Sequence, residues 1–246
     1  MKEIEITVED QDELKEQKVV RDPRLSLKQF SQYMTATERG KSGVLRKCKY
    51  PGTYIPRFYE MARKFVCETF SANFEDHDLY FEEFKRQAAI FREEAKDYPE
   101  NKDGFKNRAS SARGLDEICS MAELLSPILG GYVLESNLSK RRDTITRNSV
   151  KIGAVADMIV SENGGATQVG FLKFNFTTQL LSKKEIGTML HVLKEFFEKK
   201  DVNVDPKSCF LIDVFAARIY TLSGIVDMEQ DFEKATLEIS KNWDLI

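Results

Sequence analysis

Histidine is nearly missing from this chain of 246 residues: His77 and His191 are the only two, and they stand far apart. That scarcity removes the usual general base of Ser-His-Asp and Cys-His nucleophilic sites from consideration. Cysteine is sparse as well. Cys48, Cys67, Cys119 and Cys209 form no CxxC pair, so they read as free, buried thiols rather than zinc ligands or a disulfide framework. No apolar run reaches the roughly 18 residues needed to span a bilayer. The first residues, MKEIEITVEDQDELKEQK, are acidic and lack the apolar core of a signal peptide, which predicts a cytoplasmic protein with no membrane partner. An excess of positive charge is missing too, since the formal net charge is −3 and the pI about 5.7. Any contact with DNA or RNA must therefore come from local basic patches.

What is present fits a soluble globular chain, 41% apolar and 31% charged, without repeats or low-complexity tracts. Residues 1–24 are rich in charge and poor in apolar anchors, and they read as a flexible arm, poorly ordered or loosely docked. From Ser26, a plausible cap, Leu27, Phe30 and Met34 recur at helical spacing. Residues 38–56 contain Gly40, Gly43, Pro51, Gly52 and Pro56 and read as a loop-rich connector. Helices are expected over about 57–70, 78–98 and 109–129, the last stopped by Gly130-Gly131. Residues 25–108 thus form a helical region.

Beyond the two glycines the period changes. GYVLESN, residues 131–137, reads as a short strand, and LSKRRDTITRN, residues 138–148, as a polar turn. Two apolar runs within residues 151–176, KIGAVADMIVSENGGATQVGFLKFNF, flank Asn163, Gly164 and Gly165 and predict a β-hairpin. A helix over 182–200 opens on a Ser182–Glu185 capping box. CFLIDVFAARIYTL, residues 209–222, follows as one or two strands, and an amphipathic helix spans 227–243. The predicted class is α+β, with residues 109–246 forming a mixed sheet flanked by helices.

Two charges sit inside the hairpin's apolar runs, Asp157 and Lys173. A charge in such a setting is paired, solvent-facing or functional. Alternation puts Val169, Phe171, Lys173 and Asn175 on one side of the strand, and Gly170, Leu172, Phe174 and Phe176 on the other. Were Asp157 on the same face of the neighbouring strand, it would form a cross-strand ion pair with Lys173.

The order helix, three strands, helix, strand, with an acid on the second strand and a lysine on the third, resembles the core of the PD-(D/E)XK nuclease superfamily over about residues 109–222. The stretch GFLKFNF followed by LSKKE also resembles uncharacterised bacterial proteins of similar length. The superfamily resemblance implies a restriction-endonuclease-like α-β-β-β-α-β core in which Asp157 holds Mg²⁺ and Lys173 assists the attacking water. Glu123 or Glu117 from the preceding helix would add a carboxylate. The third-strand acid is missing, because Phe171 stands two residues before Lys173. Glu123, Glu135 or Asp213 would have to replace it. The resemblance therefore implies either a metal-dependent nuclease or a degenerate nuclease fold kept as a nucleic-acid-binding or protein-interaction module.

Two basic clusters supply the surface such a function needs. Arg39, Lys41, Arg46, Lys47 and Lys49 place five cations within eleven residues, beside Tyr50 and Tyr54. Lys140, Arg141, Arg142 and Arg147 form the second. Arg46, Lys47, Lys49, Arg141 and Arg142 are the expected contacts to a DNA or RNA backbone.

Overall fold

The computed structural model describes residues 18–52, 58–139 and 142–246. In chain order the elements are β1 (Arg24–Leu25), α1 (Leu27–Thr35), α2 (Glu38–Lys49), α3 (Glu60–Phe70), α4 (Asp78–Ala95), α5 (Asp103–Ser120) and α6 (Ala122–Gly131). Then follow β2 (Val133–Ser136), β3 (Thr144–Arg147), β4 (Val150–Gly153), β5 (Met158–Glu162), β6 (Thr167–Asn175), α7 (Lys183–Glu198), β7 (Cys209–Asp213), β8 (Arg218–Thr221) and α8 (Glu229–Asn242). The protein is α+β, with a helical N-terminal half.

The helix starts follow from local chemistry. Ser26 and Gln29 form a reciprocal capping box on α1, as Ser182 and Glu185 do on α7, each satisfying two backbone N–H groups that a helix end leaves free. The connector expected over 38–56 is instead largely α2. Thr37 caps it, Glu38 stands in its first turn, and Arg46, Lys47 and Lys49 stand in its last. Charges so placed oppose the helix dipole, and Leu45 and Cys48 are buried, which together outweigh two interior glycines. The expected helix over 109–129 is two helices, α5 and α6, broken at Met121. Of the expected arm, residues 18–24 are docked: Val20 N–H donates to the Lys49 carbonyl, and the Trp243 indole Nε1–H donates to the Arg21 carbonyl, both at 2.8 Å.

The main sheet has the order β2-β5-β6-β7-β8. β2 and β5 pair antiparallel, as do β5 and β6, while β6 and β7 run parallel, joined through α7. This is the α-β-β-β-α-β order, with β8 added at the edge. The expected hairpin is shorter than 151–176. Its first run divides at residue 154, and β4 leaves to join a second sheet, β1-β4-β3, in which β1 lies parallel to β4. β3 lies within the segment read as a polar turn: Ile145 is buried, Thr146 faces outward, and Arg147 is half-buried on the Ile145 side.

The main sheet separates two cores. Phe171, Cys209 and Leu211 face one with α1, α7 and α8, while Leu172, Phe174, Phe210 and Ile212 face the other with α3 to α6. Such alternation is what a strand buried on both faces requires. Gly170 is needed in β6, because a Cβ there would lie 2.0 Å from the Ser208 carbonyl oxygen.

Candidate functional site

Asp157 lies in a bend one residue before β5, not inside the strand. Its position is set from both sides, since its N–H donates to the Leu172 carbonyl at 3.0 Å and its own carbonyl accepts from Asn137 N–H at 2.9 Å. The side chain is 2% exposed, so its charge needs partners inside the protein. Lys173 Nζ donates to Oδ1 at 2.9 Å, and the Phe174 backbone N–H donates to Oδ2 at 2.8 Å. The pairing with Lys173 is the one expected if the two residues shared a face; the backbone donor was not read from the sequence. A third group is Arg63 of α3, whose Nε stands 4.0 Å from Oδ2, beyond hydrogen-bond reach.

Two residues along β6, on the Lys173 face, Asn175 pairs in register with Asp213 of β7. Asn175 Nδ2 donates to Asp213 Oδ1 at 2.9 Å, and Thr177 Oγ1 donates to Asn175 Oδ1 at 3.0 Å. Asp213 is 1% exposed, and its Oδ2 makes no well-formed hydrogen bond. Burial pushes its carboxyl above the ordinary range, opposed by the hydrogen bond from Asn175, by the Leu181 backbone N–H directed at it and by the charge of Arg218. The polar ends of β5, β6 and β7 therefore carry a row of buried groups, Asp157, Lys173, Asn175 and Asp213.

The position of the missing acid is filled by packing. Phe171 is wholly buried between Ile159 of β5 and Cys209 of β7. Glu123 is exposed on the first turn of α6, and among the described residues no hydrogen bond or ion pair joins it to Asp157. Glu117 faces Arg113 at 3.8 Å, and Glu135 is exposed on β2. No group of three or more His, Cys, Asp or Glu side chains able to hold a metal forms among the described residues. A divalent cation needs several oxygen ligands. Asp157 has one donor on each of its oxygens and faces a lysine, so no set of three acids for Mg²⁺ is assembled at this row among the described residues.

Arg46 and Lys47 are exposed on α2, and Arg142 is exposed before β3. Lys49 Nζ donates to the Trp243 carbonyl at 2.8 Å, which makes it a tie to the chain's last helix. Arg141, like Lys140 and Tyr54, lies outside the described residues. Arg147 is engaged by Glu195, Glu229 and Glu233 and is not free for a phosphate.

Asn175 was legible in the sequence as the next residue on the Lys173 face, and Asp213 as one of the acids offered in place of the missing one. Arg63 gave no local signal, because a cation on the polar side of an amphipathic helix is ordinary. The chain was compared with protein-family models, curated proteins and solved structures, and it matches none of them.

Proposed function

We propose that the chain is a nuclease-fold protein of the PD-(D/E)XK type that binds nucleic acid, DNA or RNA, through a centre that no longer carries a metal set. The reading rests on the α-β-β-β-α-β order with Asp157 and Lys173 at its polar strand ends. The observation that carries the loss of cleavage is Phe171, stacked on Phe197 where the resemblance calls for a ligand. Arg46, Lys47 and Arg142, exposed and basic, supply the backbone contacts. Binding to labelled single- and double-stranded DNA and RNA, followed by anisotropy over a salt series, tests it. The expected result is affinity that falls with salt and falls again in R46Q/K47Q, with no cleavage in Mg²⁺ or Mn²⁺. No binding to any of the four would sink the reading.

One observation favours a second reading, an active phosphodiesterase: Asp213 is a second buried carboxylate on the same row, with an oxygen that makes no well-formed hydrogen bond. Cleavage that disappears in both Lys173→Ala and Asp213→Asn would establish it.

A further inference from the structure

Where β6 runs out, the next residue is Phe176, and its ring meets the beginning of α3. Tyr59 stacks nearly parallel on it, with centroids 6.0 Å apart and planes 16° apart. Phe215, in the turn between β7 and β8, meets Tyr59 edge to face at 5.2 Å. Gly114 of α5 admits the stack, because a Cβ there would stand 3.2 Å from Phe176 and 3.3 Å from Tyr59. Phe176 is buried, whereas Tyr59 and Phe215 are half-buried, so part of each reaches solvent.

Two arginines flank this aromatic step. The Arg113 guanidinium lies over the Phe215 ring at 4.9 Å and is 61% exposed, and its ion-pair contact, Glu117, is 3.8 Å away. The Arg63 guanidinium is 6.0 Å from the Phe176 ring centroid. Its Nε is buried without a hydrogen-bond partner and stops 4.0 Å short of Asp157. The Arg63 side chain is nevertheless 36% exposed, so its guanidinium can meet a phosphate oxygen from solvent. Arg63 thus stands between the Asp157–Lys173 row and an aromatic step.

We infer that the aromatic step of Tyr59 and Phe215 receives an unstacked base of a single strand, with Arg63 and Arg113 holding the phosphates beside it. This rests on the nucleic-acid reading above and specifies its substrate class. Aromatic rings flanked by cations hold single strands because every free base offers a π-face and every linkage a charge. A duplex offers the charges but keeps its bases stacked inside.

The test compares a 12-nucleotide pyrimidine single strand, the same strand carrying abasic sites, and the matching duplex, by anisotropy at fixed salt. Wild type, F215L, R113Q and R46Q/K47Q are compared, with each fold checked by circular-dichroism melting. The wild type is expected to bind the intact single strand about tenfold more tightly than the abasic strand or the duplex. F215L should erase most of that preference, and R113Q, which removes a phosphate contact, should weaken the single strand more than the duplex. Arg113 is exposed, so R113Q keeps the test valid if F215L melts early. Equal affinity for single strand and duplex, or a preference unmoved by both variants, overturns the inference. If binding nevertheless falls in R46Q/K47Q, the broader reading survives. Absence of all binding overturns both.

Discussion

Phe171 and Phe197 lie face to face, their ring centroids 5.4 Å apart and their planes 10° from parallel, tying β6 to the crossover helix α7. A side chain with no exposure in that position contributes packing, and its neighbours cannot easily collapse into the space it fills. Phe171→Ala should cost about 3–5 kcal/mol in urea denaturation. Phe171→Glu, which would restore the acid of the resemblance, should cost at least as much at neutral pH, since it places an unpaired carboxylate between two strands and a helix. If Phe171→Glu is as stable as the wild type, the site has room that the packing denies.

The Asp157–Lys173 pair should behave asymmetrically. Lys173→Met strands a carboxylate that is 97% buried by side-chain area and should cost on the order of 3 kcal/mol. Asp157→Asn leaves an amide oxygen for the Phe174 N–H but leaves Lys173 without its anion. Lys173 retains some solvent, with its side chain 17% exposed, so that loss should be smaller. The double variant should be more stable than the sum of the two predicts. A double-mutant cycle by chemical denaturation measures the coupling, and additivity would mean that the pair stabilises nothing.

Asp213 makes a prediction in pH. Its carboxyl in the folded chain is raised above the ordinary value of 3.8, so the folded state favours the protonated form. That contribution is complete below the unfolded value and is lost as pH rises through the raised one. Asp213→Asn, a neutral near-isostere able to keep a contact with Asn175, should therefore gain on the wild type as pH climbs from about 4 to 7. Melting temperatures over that range measure the difference. A gap that stays constant would mean that the carboxyl is ionised at no cost.

Arg147 is the fourth test. Its guanidinium reaches Glu195 of α7 and Glu229 and Glu233 of α8, and it stands 5.4 Å from the Phe232 ring centroid. Arg147→Ala should cost about 2–3 kcal/mol, chiefly because Glu195, whose side chain is 11% exposed, keeps only Lys199. Arg147→Lys should recover less than half of the loss, because one ammonium cannot fork to three carboxylates. Full recovery in thermal melts would reduce the fork to a point charge.

Much of this architecture was legible in the sequence for a physical reason. α1, α7 and α8 announce themselves by apolar period, the first also by the Ser26 cap and the second by its capping box, and β6 and β7 are buried on both faces and so read as apolar runs. α2 was missed because interior glycines resemble loop signals, while the Thr37 cap and Leu45 and Cys48 that outweigh them are recognisable only once a neighbour is known. β3 was hidden in a charged stretch, with Ile145 as its one fully buried residue. At the site, the Asp157–Lys173 contact was offered by the sequence on the condition that the two shared a face, although Asp157 lies just before β5 rather than in it. Arg63 and the Tyr59–Phe176–Phe215 step were not, since three segments distant in sequence meet there and no local period records it.

The small sheet bears on how the chain folds. Arg24 lies beside Lys151 and Leu25 beside Ile152, so β1 joins the local β3–β4 hairpin only by closing a loop that contains α1 to α6. The entropy of closing so long a loop is lower once other contacts hold its ends near each other. Until then β4 has an open edge where Arg24 and Leu25 belong, and a newly made chain is exposed there to pairing with a second copy. Val20, Arg21 and Trp243 then act as a latch that removes this edge from circulation.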